Sequence, residues 1–95
     1  MGELAERICR LVEEDRYEVI PHAADRMTER GILEWQVVAG LDRGTFLFED
    51  PFAIPFPKVE VTESLPDGTE FKAVWSWDEE RDVARLVTVH FFDRG

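Results

Sequence analysis

The chain has 95 residues, 44% of them apolar and 12% aromatic, which is enough for one compact core and too few for two. Its 21 acidic and 11 basic residues give a formal net charge of −10, which disfavours binding along the phosphates of a nucleic acid. It has no apolar run of membrane-spanning length, no signal-peptide core, and only one cysteine, so we expect a cytoplasmic protein.

Three helices are predicted, over residues 3–14, 22–30 and 33–43. The first repeats Leu4, Ile8 and Leu11 at helical spacing, with charged residues between them. Pro21 suits the start of the second helix, and Gly31 suits the left-handed residue that ends it. The residues between the first two helices, 17–20, are predicted to be a short extended link or edge strand.

From residue 45 the apolar period changes to two, which is typical of strands. A first strand, "TFLFE", is followed by the Pro-broken stretch "DPFAIPFP", which we expect to be an irregular or edge segment. Two hairpins are predicted after it. The register of the first opposes Val61 to Ala73, and that of the second opposes Trp75 to Arg85.

The two hairpins would share one dry face and one wet face. The residues expected on the dry face are Val59, Val61, Phe71, Ala73, Trp75, Val87, Val89 and Phe91. The fold class is therefore α+β, with N-terminal helices packed on one face of an antiparallel sheet of about four strands. Residues 1–95 are expected to form a single domain.

The pattern His-Ala-x-x-Arg-Met-x-x-Arg-Gly-Ile, from His22 to Ile32, resembles the domain of unknown function 4258 family. The later stretches "VVAGLDRGTFLFED" and "LVTVHFF" support the resemblance, which covers residues 17–92. Such domains are similar to RelE/ParE-like toxins, a group that includes metal-independent mRNA-cleaving enzymes and inhibitors that cleave nothing. The resemblance implies a RelE-like helix pair on an antiparallel sheet and a toxin–antitoxin role, without establishing catalysis.

His22, Arg26 and Arg30 fall four residues apart and would form one cationic stripe on a helix. Metal-free RNA cleavage needs a base, a cation for the phosphate and an acid. His22 is the candidate base, because the positive end of a helix dipole favours neutral imidazole. Arg26 and Arg30 are the candidate phosphate clamps, and His90 is the candidate acid.

A structural explanation competes with each of these assignments. Arg26 and Glu29 are neighbours on a helix, so a local ion pair explains the arginine. The predicted register places Glu70 across from His90, so a cross-strand pair explains that histidine. The chain also departs from the family at Ile20 and Pro21, because Ser or Thr often stands one or two residues before the motif's histidine. RelE-like nucleases tend to be basic, whereas this chain is acidic.

Phe52, Ile54 and Phe56 alternate with prolines in a segment that an edge strand cannot easily bury. They are the candidate partner-binding residues, for another protein or for a second copy of the chain. No metal site is expected from two scattered histidines and one cysteine, and no cofactor is expected without a Gly-rich phosphate loop. DNA reading is not expected either, since the third helix offers only Gln36 and Arg43 as donors.

Two functions therefore remain open. One is a toxin-like, metal-independent ribonuclease that uses the cationic stripe and is paired with an antitoxin-like protein. The other is a non-catalytic interaction module with an acidic surface that binds a protein or itself. The net charge favours the second, although acidity is also typical of salt-adapted organisms. The motif favours the first.

Overall fold

The computed structural model describes residues 2–92. Its helices are α1 (Glu3–Glu13), α2 (Pro21–Arg30), α3 (Glu34–Gly40) and a 3-10 turn (Leu41–Arg43). Its strands are β1 (Tyr17–Val19), β2 (Thr45–Asp50), β3 (Lys58–Ser64), β4 (Glu70–Asp78) and β5 (Val83–Phe91). They form one five-stranded sheet in the order β1-β5-β4-β3-β2. The α+β class is confirmed.

Helix α1 buries the apolar side predicted for it, including Ile8 and Leu11. Gly2 precedes the helix and offers no side chain to cap it. The carboxylate of Glu49, from β2, takes that role, because its Oε1 accepts a hydrogen bond from the Ala5 N–H at 3.1 Å. A negative group at this end also complements the helix dipole. A residue far away in sequence thus fixes the start of the first helix.

Helix α2 begins at Pro21 and ends at Gly31, whose φ of 69° is in the left-handed region. Both boundary predictions are confirmed. The third helix is shorter than predicted, because it ends at Gly40 and the chain tightens into a 3-10 turn before Gly44. A side chain at Gly44 would meet the Thr62 carbonyl oxygen at 2.9 Å, so the turn needs glycine to pack this closely on β3.

The sheet is mixed and five-stranded, whereas about four antiparallel strands were predicted, because the segment expected to be a link or edge strand forms β1 and pairs in parallel with β5. A three-residue strand is too short to show a period in the sequence. Side-chain hydrogen bonds also link β1 to the end of the sheet, because Glu18 accepts hydrogen bonds from Arg81 at 2.6 Å and from Arg85 at 3.0 Å. These bonds, led by that from Arg81, hold the pKa of the Glu18 carboxyl below its usual value.

The register of the first hairpin is confirmed, with Val61 opposite Ala73. The second hairpin differs from its prediction, since Trp75 faces Leu86 and Ala73 faces Val89. The pairing is displaced by one residue from the turn onward, where Trp77 faces Ala84, and Val87 is an extra residue in β5 whose bulge displaces the pairing beyond it by one more. The bulge brings Leu86 to the dry face as well as Val89, which simple alternation does not allow.

The core lies between the helices and one face of the sheet. Its buried sheet residues are Val59, Val61, Phe71, Ala73, Trp75, Ala84, Leu86 and Val89. Trp75 is fully buried near its centre, in edge-to-face contact with Tyr17 at a ring separation of 6.1 Å. One-sided packing of helices on a sheet is confirmed.

One charged residue, Glu63, also points to this dry face, in step with Val59 and Val61. Its side chain is 3% exposed, and neither carboxylate oxygen has a hydrogen-bond partner within residues 2–92. A Cβ on Gly40 would come within 2.6 Å of Oε1, so the carboxyl group lies directly against the helix backbone. Burial, and then the charge of Asp42, raise the pKa of Glu63 to about 8.

Glu63→Gln should remove a pH dependence of stability. In the folded state Glu63 keeps its proton up to about pH 8, whereas the ordinary pKa of this side chain is 4.5. The bound proton therefore stabilises the folded state fully below about pH 4.5, and this stability is lost as the pH rises from 4.5 through about 8. Relative to Glu63→Gln, the free energy of unfolding of the natural chain should fall by up to roughly 4 kcal/mol between pH 5 and pH 8.5.

Urea denaturation of both proteins at the two pH values measures this difference. Glu14→Gln, on the exposed end of α1, is the matched control and should follow the natural chain. If the free energy of unfolding changed with pH by the same amount in the natural chain and in Glu63→Gln, the prediction would be contradicted.

Cys9 is half-buried against the core, on the side of α1 that faces Asp42. Burial, followed by the nearby carboxylates of Glu13 and Asp42, raises the pKa of its thiol from 9.0 to about 11. The nucleophilic thiolate is therefore scarce at neutral pH.

Alkylation of Cys9 by iodoacetamide at pH 7.5 should be at least about 100-fold slower in the folded protein than in urea, because two pKa units remove that much thiolate. Mass spectrometry of timed samples measures the rate. Equal rates in the folded and unfolded chain would contradict this account of the thiol.

Candidate functional site

The cationic stripe lies on the outward side of α2, because Ala23 and Met27 turn inward to the core. His22 is exposed in the first turn of the helix. Arg26 Nη1 lies 3.5 Å from Glu29 Oε2, so the predicted local ion pair is present. Arg30 reaches the sheet instead, with its guanidinium carbon 5.7 Å from the centre of the Phe91 ring.

His90 lies on the other side of the sheet from this stripe. It lies opposite Lys72 of β4, whereas Phe91, the next residue, packs against the core beneath the helices. Alternation along β5 therefore turns His90 to the open face. The predicted pairing of His90 with Glu70 was wrong, because the hairpin is displaced by one residue from its turn onward, where Trp77 pairs with Ala84, and the bulge at Val87 adds a second residue.

The three stripe residues thus share one helix, and the sheet separates them from His90. Four clefts formed by residues 2–92 are lined by other side chains. A base, a phosphate clamp and an acid need a common concave site, and this arrangement does not provide one.

The Pro-rich segment, residues 51–57, is a loop after the edge strand β2. Asp50 Oδ1 accepts a hydrogen bond from the Phe52 N–H at 3.1 Å, and the Pro57 carbonyl accepts one from the Trp77 N–H at 2.9 Å. The Ile54–Pro55 peptide bond is cis. The two ends of the loop are therefore fixed to the sheet.

The three predicted partner-binding residues differ in their surroundings. Phe56 is half-buried, and the Arg85 guanidinium carbon lies 5.5 Å from the centre of its ring. Phe52 is 87% exposed and Ile54 is 94% exposed. Leu47 and Phe48, just before the loop on β2, are also about half exposed. Together Leu47, Phe48, Phe52 and Ile54 form what we call the apolar edge.

An open groove of about 700 Å³ lies beside this loop, between it and α1. Its apolar lining comes from Leu4, Pro51, Pro57 and Trp77, and its charged lining from Glu3, Glu6, Arg7, Arg10, Glu49 and Glu79. Four carboxylates thus meet two guanidinium groups, and that of Arg7 already stacks on Trp77 at 5.2 Å. We call this surface the acidic groove.

A second cleft, of about 400 Å³, lies between α3 and the β3–β4 hairpin. Its lining includes Trp35, Gln36, Arg43, Glu70 and the buried Glu63. Sequence reasoning missed Glu63, although a signal was present. The residue stands two positions after Val61 on a strand whose alternate residues were expected to face the core.

Within residues 2–92, no group of three or more His, Cys, Asp or Glu side chains is arranged to hold a metal ion. No helix in that range has the length and hydropathy that crossing a membrane requires.

Comparison with known proteins gives one match. No curated protein and no solved structure matches the chain. A family model described as "Domain of unknown function (DUF4258)" matches residues 20–91, which include the α2 motif and the sheet from β2 to β5. The match covers most of the chain, and the protein therefore belongs to the DUF4258 family.

Proposed function

We propose that the protein is a non-catalytic interaction module on a RelE-like scaffold, which binds a basic, apolar segment of a partner protein. The observation that carries the proposal is the exposure of Phe52 and Ile54, at 87% and 94%, on a loop fixed at both ends. Large apolar side chains exposed close together are typical of interaction sites.

Docking of side chains fits this surface better than addition of a strand. The edge strand β2 contains a bulge, because Phe46 pairs with Val61 and Phe48 with Glu60, leaving Leu47 without a partner. A bulge interrupts the row of backbone groups that a new strand would need. The loop, hydrogen-bonded at both ends, instead exposes apolar side chains that can dock into a partner.

The charge of the surface selects the partner. The chain has a net charge of −10, so two copies repel each other, and the acidic groove adjoins the loop at Pro51 and Pro57. A partner segment with Lys or Arg beside apolar residues would complement both features. An antitoxin-like protein is one such partner, and the toxin–antitoxin setting implied by the family resemblance is compatible with it.

Replacing Phe52 and Ile54 by Ser should weaken binding of a basic amphipathic peptide by about tenfold or more, since these residues supply the exposed apolar contact. The probe is a fluorescent Lys/Leu peptide, and its anisotropy is measured against increasing protein. A Glu/Leu peptide of the same length should not bind. The melting temperature of the variant should change little, because neither side chain is buried.

Leu33→Ser is the matched control, because Leu33 is also exposed but lies before α3. It should bind the Lys/Leu peptide as the natural chain does. Equal binding of both peptides, or unchanged binding by the double variant, would refute the proposal. A dimer in ultracentrifugation that the double variant abolishes would identify a second copy as the occupant.

A toxin-like ribonuclease is the second candidate, and the exposed His22 favours it. An imidazole in the first turn of α2, with Arg26 one turn later, can reach a phosphate on the surface without any metal. The carboxylate of Glu29 competes for Arg26, and His90 is not available as an acid on that side.

If this second function holds, induced expression should arrest bacterial growth, and His22→Ala and Arg26→Ala should each relieve the arrest. The same variants should lose cleavage of a transcript in EDTA. Arg10→Ala, an exposed arginine on α1, is the control and should remain toxic. Circular dichroism checks that every variant is folded. Growth unaffected by the natural chain would remove this candidate.

A further inference from the structure

We propose that the cleft between α3 and the β3–β4 hairpin binds a guanidinium group, which Glu63 holds through both carboxylate oxygens. The cleft shares no residue with the apolar edge or the acidic groove, so this inference does not rest on the proposed function. The guanidinium can belong to a small molecule or to an arginine side chain of a protein.

Glu63 is the first reason for this assignment. Buried carboxylates in proteins are almost always paired or hydrogen-bonded, because burying one without a partner is costly. Both oxygens of Glu63 lack a partner within residues 2–92, although the side chain is 3% exposed and lines the cleft. Such a group is a functional-site candidate rather than a support of the fold.

The shape around Glu63 is the second reason. Its carboxyl group lies against Gly40, where any side chain would collide with it at 2.6 Å. Glycine at this position leaves room for the carboxylate beneath α3. A planar guanidinium matches two unpartnered carboxylate oxygens through two parallel hydrogen bonds, which a compact ammonium cannot form.

The rim of the cleft is the third reason. Trp35 is 62% exposed there and offers an indole face on which a guanidinium can stack. Glu70 lines the same cleft, and the Asp42 charge also acts on Glu63, so the surroundings favour a cation. Arg43 lines the cleft too, but its guanidinium forms no ion pair in residues 2–92.

Binding has a chemical signature. Because burial raises the pKa of Glu63 to about 8, the group is mostly protonated at pH 7. A bound guanidinium stabilises the carboxylate, so the proton passes to the buffer as the ion pair forms. The guanidinium keeps its own protons throughout. Both oxygens are closed to solvent, so a side chain that lines the cleft must turn aside for entry.

The experiment is isothermal titration calorimetry at pH 7 in two anionic or zwitterionic buffers with different ionisation enthalpies. The probes are methylguanidinium and the peptide acetyl-Gly-Arg-Gly-amide, with the citrulline peptide as the neutral match. We expect a charged probe to bind and to release nearly one proton, while the citrulline peptide does not bind. Binding of methylguanidinium indicates a small-molecule ligand; binding of the arginine peptide alone indicates a protein ligand.

Glu63→Gln keeps the shape of the side chain and should weaken binding at least about tenfold and abolish the proton release. Glu14→Gln is the control and should bind normally. The proton measurement on the natural chain does not depend on any variant folding. Failure of both charged probes, equal binding of citrulline, or binding without proton release would overturn the proposal. If the charged probes bind only to the Arg43→Ala variant, the proposal is also overturned, because the chain's own Arg43 would then occupy the cleft.

Discussion

Burial of a single face of the sheet is the constraint on which the rest of the structure depends. All three helices pack on the same side, over Val61, Ala73 and Trp75, so the other side stays open to polar residues. Along β3 the place of a residue in the alternation decides whether it is buried, whereas in the central strand β4 Val74 and Ser76 are buried on the other side as well. The bulge at Val87 breaks the alternation, and Leu86 and Val89 therefore both face the core.

The position of the proposed functional surfaces follows from this one-sided packing. Helix α2 must turn Ala23 and Met27 to the core, so its motif residues His22, Arg26 and Arg30 become a convex, outward surface. The edge strand β2 has a neighbour on one side only, and the loop after it leaves the sheet with its apolar groups uncovered. The features that would bind a partner therefore collect at this edge, away from the family motif.

Glu63 is where stability and a binding role conflict. The alternation of β3 points its carboxyl group into the core, where desolvation disfavours the charged form. Burying a neutral side chain there would cost less free energy. Folding tolerates it because the group holds its proton and because Gly40 leaves space for it. A site that keeps a destabilising group is expected when the group acts on a ligand.

The sequence by itself determined the α+β class, the bounds of α2 at Pro21 and Gly31, and the register of the first hairpin, because each follows from local periodicity or turn chemistry. Only the tertiary structure decided three other features. The strand β1 is too short to show a period, and its pairing with β5 joins residues far apart in the chain. The register that separates His90 from Glu70 combines a displacement at the turn with the bulge at Val87, and neither is visible in the alternation of β5. Alternation along β3 already places Glu63 on the dry face, and only the packing of α3 at Gly40 decides that its carboxyl group is covered.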